Sequence, residues 1–341
     1  MIEIIILFLL GLILFYVLNI LCLKNKILID DVLVSSHKKF INKIEIPITG
    51  GILILFSIIF LFKDIILINK ILFFLIFLLG LLSDIDKLRS PKIRLFFQFL
   101  IVTIYIYFNS TYVTEIRIDY LDENFLNLFL FQLIFSIFCI LILINGSNFI
   151  DGVNTLNAGY YFIIFLNILF ISNSNEIEIG IYNLKILIVI LFIFLIHNAF
   201  NKSFMGDSGS YLLSFYVAVF FINFSNENEL ISPYYVAVLL WYPAFENFFS
   251  LARRLFFDRR KVNNADNLHL HHLLFIYIRE NIVDSKHTNT LTGLTINLFN
   301  FIILLFANNY LYQTKILLLI LALTLLSYIT IYFLLKRNIK Y

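Results

Sequence analysis

The chain has 341 residues, of which 61% are apolar, 18% aromatic and only 14% charged, and its mean hydropathy is +0.93. In ordinary soluble domains about a quarter of the residues are charged, so this composition excludes that class. The 25 Lys and Arg residues against 22 Asp and Glu give a net charge of +3, which indicates no nucleic-acid partner. The two cysteines, Cys22 and Cys139, lie far apart within apolar runs, so neither a disulfide framework nor a cysteine zinc site is predicted.

Long apolar runs predict the membrane-spanning helices in chain order. A bilayer core of about 30 Å needs about 20 helical residues. On that measure the candidate runs are 3–23, 46–62, 65–82, 93–108, 125–144, 158–171, 181–200, 211–224, 230–251, 291–309 and 316–335. The predicted fold class is therefore all-α, a polytopic membrane protein with about eleven transmembrane helices in a single integral domain that covers residues 1–341. The first run is predicted to be a retained span rather than a signal peptide.

The basic residues predict which side of the membrane each connection faces. Connections after odd-numbered runs, together with the C-terminus, hold 20 of the 25 Lys and Arg residues. By the positive-inside rule these connections are cytoplasmic, which places the N-terminus outside and the C-terminus inside. The predicted cytoplasmic loops are about 24–46, 83–92, 145–157, 201–210 and 252–290.

Motif-like polar clusters fall in these connections or at the adjoining ends of the apolar runs. They are Ser36-His37, Pro47-Ile48-Thr49-Gly50-Gly51, Gly80-Leu81-Leu82-Ser83-Asp84-Ile85-Asp86 with Ser90-Pro91-Lys92-Ile93-Arg94, Asn145-Gly146-Ser147-Asn148-Phe149-Ile150-Asp151-Gly152, Phe204-Met205-Gly206-Asp207-Ser208-Gly209-Ser210 and Asp266-Asn267-Leu268-His269-Leu270-His271-His272. A transporter would be expected to place such groups near the bilayer midplane. A set at the water interface favours chemistry between a soluble substrate and a lipid.

Three isolated carboxylates, Asp84, Asp151 and Asp207, lie near glycines in three separate connections. Each one alone is typical of a helix cap or a solvated loop residue. Together they favour a site for a hard cation, because Mg²⁺ takes one or two carboxylates along with phosphate oxygens.

Three of the six histidines, His269, His271 and His272, lie within four residues. A zinc site competes as an interpretation, but no cysteine is near and the spacing does not place all three on one helical face. Imidazole N–H groups beside Arg and Lys suit phosphate oxygens, so the triplet is predicted to bind a diphosphate. The basic residues at 259–261 are predicted instead to anchor the chain at anionic lipid headgroups.

In this order, the motifs resemble those of the polyprenyl-phosphate N-acetylhexosamine-1-phosphate transferases of glycosyltransferase family 4. The resemblance extends from about His37 to His272, and the segment 204–210 is its most specific element. It implies transfer of a HexNAc-1-phosphate from UDP-N-acetylhexosamine to polyprenyl (undecaprenyl) phosphate at the cytoplasmic leaflet of the bacterial inner membrane, with release of UMP. The product would start a lipid-linked glycan, as in the O-antigen-initiating branch of the family. The resemblance also implies a need for Mg²⁺, for which Mn²⁺ could substitute, and it leaves open whether the chain forms a homodimer.

The resemblance assigns roles to individual positions. Asp207 matches the family's metal-binding carboxylate, and Asp84 is expected to be the second metal ligand. The residues implied in catalysis are Asp84, Asn148, Asp151, His269, His271 and His272. Those implied in substrate binding are Arg94, Asn145, Asn198 and Gly206.

The sequence departs from the family pattern at two positions near these residues. Ser83 stands where the first Asp of an Asp-Asp pair is expected, and Glu246 stands where an Asp is usual. The loss of the first Asp does not exclude catalysis, because a phosphate monoester with a second pKa of about 6 is largely dianionic at neutral pH and attacks without giving up a proton. Asp86 is expected to substitute sterically for the missing residue.

Other functions stay open from the sequence. Within the family, a phospho-MurNAc-pentapeptide transferase of the MraY type is the alternative, although the His-x-His-His arrangement favours a simple HexNAc donor. A catalytically degraded homologue is a second alternative, because of Ser83. From another class, a membrane lipid or sugar transporter would move an intact substrate and release no UMP. The sequence does not name the sugar.

Overall fold

Helices make up most of the structure, a computed structural model that describes residues 2–31, 45–175, 180–256, 268–283 and 287–338. About 81% of these described residues are helical. The helices are α1 (Ile2–Asn25), α2 (Gly50–Phe56), α3 (Leu67–Asp84), α4 (Pro91–Asn109), α5 (Asp119–Leu121), α6 (Phe129–Ile150), α7 (Leu156–Asn175), α8 (Ile181–Ala199), α9 (Gly206–Glu227), α10 (Pro233–Phe256), α11 (Leu270–Asn281), α12 (Thr288–Ala307) and α13 (Thr314–Asn338). Short π-helical or 3₁₀ turns follow α2 (Ser57–Leu61), α5 (Asp122–Leu126) and α12 (Asn308–Tyr310).

The long helices coincide with the predicted apolar runs. Eight of the described helices are long and apolar enough to cross a membrane, namely α1, α3, α4, α6, α8, α9, α12 and α13. The shorter apolar helices Gly50–Leu61 and Leu156–Ser172, together with α10, occupy the other three predicted runs. This architecture agrees with an all-α polytopic membrane protein. The number of spans that cross the bilayer, and the side on which each connection lies, stay predictions.

Several helices occupy parts of segments that were expected to be loops, and three of them, α6, α9 and α11, carry candidate site residues there. α6 runs past its predicted end, so Asn145 and Asn148 are helical. α9 begins before its predicted start, so Asp207 lies in its first turn. α11 forms within the polar stretch 252–290. A prediction from hydropathy places the end of a span where polar residues begin, whereas the helix itself continues for as long as its backbone hydrogen bonds are made.

A small sheet is the one described element outside the all-α expectation. β1 (Ile29–Asp31) pairs antiparallel with β2 (Glu45–Pro47). The chain just after β2 is bonded to the segment before α9: the Phe204 N–H donates to the Pro47 carbonyl at 2.9 Å, and the Gly50 N–H donates to the Phe204 carbonyl at 3.0 Å. These bonds tie the start of α2 to the start of α9, which carries the candidate site.

The end of α3 packs directly on the first turn of α9. A Cβ added at Gly80 would lie 2.4 Å from the Cα of Ser208 and 2.6 Å from the carbonyl carbon of Asp207. Backbone atoms cannot yield to such a contact, so only glycine permits this approach. The carboxylate at the end of α3 is thereby brought against the N-terminus of α9.

Helix α10 contains an internal proline that its neighbours accommodate. Pro243 has no N–H, so the Leu239 carbonyl one turn earlier loses its helical partner. The Tyr160 hydroxyl donates a hydrogen bond to that carbonyl at 2.6 Å. α10 therefore continues past the proline and carries Glu246 and Arg254 to the same end of the bundle.

Candidate active site

The ends of α3, α4 and α9 bring a first group of charged residues together. Asp84 accepts hydrogen bonds from the backbone N–H of Asp207 at 2.7 Å and of Ser208 at 3.0 Å. Asp84 therefore caps the N-terminus of α9, where unpaired N–H groups and the helix dipole favour a negative charge. Because the cap fixes the direction of the first turn of α9, it also fixes where the Asp207 side chain points.

Gly206 makes this cap possible. Its φ of +73° belongs to the left-handed region, and a Cβ there would lie 2.7 and 2.9 Å from the two carboxylate oxygens of Asp84. It would also lie 2.3 Å from Cγ2 of Ile48. This geometry favours a positioning role for Gly206, and its predicted contact with substrate stays a prediction.

One oxygen of Asp207 is held by three side chains. Its Oδ2 accepts hydrogen bonds from Arg94 Nη1 at 2.6 Å, from Ser83 Oγ at 2.6 Å and from the Tyr211 hydroxyl at 3.5 Å. Arg94 Nη1 also donates to Ser83 Oγ. The described residues donate no hydrogen bond to the other oxygen, Oδ1, and the side chain is 26% exposed. Asp207 therefore presents one carboxylate oxygen to the open side of the cluster.

Ser83 joins the cluster in place of the expected carboxylate. Its hydroxyl accepts a hydrogen bond from Arg94 and donates one to Asp207. Position 83 therefore takes part in the hydrogen-bond network although a serine carries no charge there. Asp86 does not take over that charge: its side chain is 75% exposed and pairs with Arg89 at 3.4 Å. The expectation that Asp86 substitutes for the missing carboxylate is wrong, because Asp86 follows the end of α3 and points to solvent rather than to Asp207.

Asp207 is the described residue that best fits a divalent cation. Mg²⁺ is held by one or two carboxylates together with phosphate oxygens, and Oδ1 of Asp207 offers one such ligand. Both oxygens of Asp84 already accept backbone N–H groups, so its role as second metal ligand stays a prediction. Among the described residues, no three His, Cys, Asp or Glu side chains are arranged to hold a metal ion by themselves. Oxygens of a substrate would have to complete the coordination.

A second cluster is built around the histidine triplet. The ring centroids of His271 and His272 lie 4.2 Å apart, and those of His269 lie 5.5 and 5.6 Å from them. His269 Nδ1 lies 2.9 Å from Oε1 of Glu246, and the Tyr328 hydroxyl donates to the other oxygen of that carboxylate at 2.6 Å. The triplet is thus held against α10 and α13.

His271 is the most deeply buried member of the triplet, with no exposed surface. Burial, together with the neighbouring His272 and His269, lowers the pKa of His271 well below its usual value, so this ring is neutral at neutral pH. Neither of its ring nitrogens has a hydrogen-bond partner in the described part of the chain. A Cβ at Gly152 would lie 2.4 Å from its Nε2, so the loop after α6 rests directly on this ring.

The C-terminal end of α6 connects the two clusters. Asn148 Nδ2 lies 3.5 Å from the Tyr211 hydroxyl, which belongs to the Asp207 cluster. On the other side, the Phe149 ring lies 5.2 Å from the ring of His269, and the guanidinium of the buried Arg254 lies 6.0 Å from the Phe149 centroid. The structure therefore brings residues of the 145–152 motif between the carboxylate and histidine clusters.

The remaining predicted residues differ in how they are placed. Asp151 is half-buried in the loop that ends α6, next to the glycine that touches the triplet. Asn145 donates to Gln98 Oε1 at 3.0 Å. Asn198 is buried, its Oδ1 accepts the Thr155 N–H at 2.6 Å, and its Nδ2 donates to a backbone carbonyl before α9 at 2.9 Å. Because both polar atoms of Asn198 are used within the protein, a positioning role is favoured over the predicted substrate contact.

The sequence did not single out every residue of the site. Tyr211 follows Asp207 by four residues on α9, so helical spacing could have indicated it. Glu246 was noticed only as a departure from a pattern, although an ionisable residue inside an apolar run is itself a functional signal. Tyr328 lies 82 residues further along, in another apolar run, and nothing in the sequence connects it with Glu246. Several predicted positions lie outside the described residues, namely Ser36, His37, Arg259, Arg260, Lys261, Asp266 and Asn267.

The fold and the two clusters define a multi-pass membrane protein with a polar site at one end of its helices. Residues 65–225 match the model of Glycosyl transferase family 4. The matched segment contains Asp84, Arg94, Asn148 and Asp207, whereas the histidine triplet lies beyond it. The match supports a polyprenyl-phosphate sugar-phosphate transferase, with a sugar-phosphate donor and a lipid acceptor. No curated protein matches the chain.

Proposed function

We propose that this protein transfers a HexNAc-1-phosphate from a UDP-N-acetylhexosamine to polyprenyl phosphate at the cytoplasmic leaflet of the bacterial inner membrane, releasing UMP. The observation that carries the proposal is the placement of Asp207. One of its oxygens is held by Arg94 and Ser83 and the other is free of hydrogen bonds within the described residues, in a cluster that α6 joins to the histidine triplet. Such an arrangement suits a diphosphate bound between the two clusters.

The donor diphosphate would be bound by this chain's own cations and imidazoles. Arg94 uses Nη1 for Asp207 and Ser83, and its Nη2 donates no hydrogen bond within the described residues, so it can bind a phosphate oxygen. Within the histidine triplet, His269 offers an N–H donor on the other side of the α6 motif, whereas both ring nitrogens of His271 are buried. A divalent cation at Oδ1 of Asp207, Mg²⁺ or Mn²⁺, supplies charge neutralisation for the diphosphate when bound.

The proposed reaction exchanges one P–O bond for another. An oxygen of the polyprenyl phosphate attacks the sugar-bearing phosphorus, and the bond from that phosphorus to the bridging oxygen breaks, so that oxygen leaves with UMP. The acceptor is already a dianion at neutral pH, so no protein base has to remove a proton, and Ser83 is compatible with turnover. Arg94 and the imidazoles stabilise the charge that develops on the transferred phosphoryl group.

An apolar cavity beside the site suits the tail of a lipid acceptor. It has a volume of about 460 Å³ and lies among α6, α9, α10 and α13. Its lining follows α10 from Pro233 to Phe248, a path of roughly 22 Å at 1.5 Å per residue. At the near end the lining includes Phe245 and Phe248, on either side of Glu246 in the sequence. A hydrocarbon chain in this cavity would bring its phosphate to the cluster end of the bundle.

Filling the cavity is expected to weaken binding of a long acceptor. Ala237 lines the cavity, so Ala237→Phe should raise KM for undecaprenyl phosphate about 10-fold, while KM for the UDP-sugar stays within twofold. A water-soluble short-chain prenyl phosphate should be affected much less. The matched control is Ala322→Phe on the lipid-exposed surface of α13, which should leave both KM values unchanged. Equal effects of Ala237→Phe on long and short acceptors would contradict the assignment of the cavity.

The activity itself is tested by UMP release from purified protein in detergent with Mg²⁺ and undecaprenyl phosphate. UDP-GlcNAc, UDP-GalNAc and UDP-MurNAc-pentapeptide form the donor panel, and one simple HexNAc donor is expected to be turned over. Turnover of the pentapeptide donor alone would favour the MraY-type alternative. Measurable turnover also excludes the degraded homologue. Movement of an intact substrate across vesicles without UMP release would favour the transporter instead.

A further inference from the structure

We infer that Glu246 and Tyr328 form a buried clamp that positions His269, with Nδ1 of the ring turned to Glu246 and Nε2 turned to the donor diphosphate. The inference rests on the proposed function, which supplies the diphosphate. It assigns positioning roles to two residues that lie outside the matched segment 65–225 and that the family resemblance left without a role.

The clamp uses both oxygens of one carboxylate. Oε1 of Glu246 lies 2.9 Å from His269 Nδ1, and Oε2 accepts the Tyr328 hydroxyl at 2.6 Å. Glu246 and Tyr328 are each 1% exposed, and His269 is 5% exposed. These contacts join α10 and α13 to the residue just before α11.

A buried carboxylate at this position calls for an explanation beyond packing. Removing an ionised group from water costs several kcal/mol unless hydrogen bonds and an opposite charge compensate. Glu246 lies between Phe245 and Asn247 on a helix whose other buried side chains at this level include Trp241 and Tyr242. An apolar residue would fill such a place without that cost, so the carboxylate indicates a specific task.

The task follows from the chemistry of imidazole. A carboxylate next to one ring nitrogen holds a proton there and fixes the orientation of the ring. A diphosphate oxygen accepts hydrogen bonds, so with the donor bound the ring lies between two anionic groups as an imidazolium, with Nδ1–H donated to Glu246 and Nε2–H donated to the diphosphate. Nε2 of His269 has no hydrogen-bond partner within the described residues and is not sealed from solvent, whereas both nitrogens of His271 are sealed. Of these two imidazoles, His269 is therefore the one with an open nitrogen for a ligand.

The stacked neighbours keep the ring from turning. The His271 ring lies parallel to that of His269, with an interplanar angle of 8° and centroids 5.5 Å apart, and Phe149 lies against it at 5.2 Å. A ring flanked by these two rings and held at Nδ1 by Glu246 keeps one orientation. Such preorganisation lowers the cost of binding the transition state.

The test is a double-mutant cycle between Glu246 and His269. Glu246→Gln keeps the shape of the side chain, removes its charge and should lower kcat about 10- to 100-fold, with KM for the UDP-sugar within threefold. In the His269→Ala background the same substitution should change kcat by less than about twofold, because Glu246 then has nothing to position. Glu246→Asp, which keeps the carboxylate, should be more active than Glu246→Gln.

A matched pair of tyrosine variants separates the clamp from general packing. Tyr328→Phe removes the hydroxyl that is bonded to Glu246 and should lower kcat about 3- to 10-fold. Tyr242→Phe removes a buried hydroxyl of the same aromatic cluster that has no hydrogen-bond partner within the described residues, and it should stay within twofold of the wild type. Equal losses in both variants would contradict the clamp.

A measurement that does not depend on enzymatic activity tests the clamp independently of the proposed function. In ¹⁵N-histidine-labelled protein, NMR of His269, assigned with the His269→Ala variant, should show the Nδ1 proton in the wild type and its loss in Glu246→Leu. An Nδ1 without a proton in the wild type, or additive losses in the cycle, would overturn the clamp. Absence of UMP release with the Nδ1 proton present would overturn the proposed function alone.

Discussion

The Asp207→Asn variant is expected to lose UMP release at least about 1000-fold under conditions in which the wild type turns over. The amide is isosteric, so its single oxygen can still accept a hydrogen bond from Arg94 or Ser83, but the negative charge that would attract a divalent cation is gone. Arg94 then loses the carboxylate that it bonds directly, and Ser83, its other hydrogen-bond partner, is neutral where a second carboxylate is expected. Initial rates over a Mg²⁺ titration measure the effect.

The control for Asp207→Asn is Asp86→Asn. It removes a carboxylate in the connection just after α3, but that side chain is 75% exposed and pairs with Arg89 in solvent. Surface ion pairs of this kind contribute little, so the control should stay within twofold of the wild type. Full activity of Asp207→Asn, or an equal loss of activity in both variants, would contradict the assignment of Asp207 as the ligand of the cation.

Gly206→Ala is expected to have the second largest effect, a loss of activity of at least about 100-fold together with a lower unfolding temperature in detergent. A non-glycine residue at a φ of +73° is strained by about 1–3 kcal/mol. The added methyl group would also lie 2.7 Å from an oxygen of Asp84 and 2.3 Å from Ile48. Asp84 would have to move, and the cap that orients the first turn of α9 would be broken.

Gly180→Ala is the matched control, because no atom lies within 4 Å of the Cβ that would be added there. It should leave both activity and unfolding temperature unchanged. Thermal unfolding and UMP release measured on the same preparations would separate the two effects. A Gly206→Ala variant with wild-type activity would show that the Asp84 cap is not required for the site.

The order of motifs along the chain made much of the site predictable. Asp84, Arg94 and Asp207 were assigned from the sequence to one site, and the structure brings their elements together. The roles within the cluster were less predictable. That Arg94 bonds directly to Asp207, or that Asp84 uses both of its oxygens on backbone N–H groups, depends on how the ends of α3, α4 and α9 meet.

In the histidine cluster, too, the residues were predictable from the sequence but their contacts were not. Its three histidines were evident from their spacing, because they lie within four residues of the chain. Their partners were not evident, since Glu246 lies 23 residues before His269 and Tyr328 lies 82 residues after Glu246. Hydrogen bonds between residues so far apart in the chain depend on how the helices pack. Local sequence patterns do not predict that packing. The same reason explains why Asp86 was wrongly expected to replace a carboxylate.

The sequence by itself determined that this protein is built from long apolar helices and that its polar motifs gather at their ends. Hydropathy and charge are properties of each residue that add along the chain, so they can be read before folding. Only the tertiary structure decided which polar atoms meet, which oxygen of Asp207 is left open and which ring nitrogen of His269 is held. Those outcomes depend on distances of a few tenths of an ångström between helices, because hydrogen bonds are short and directional.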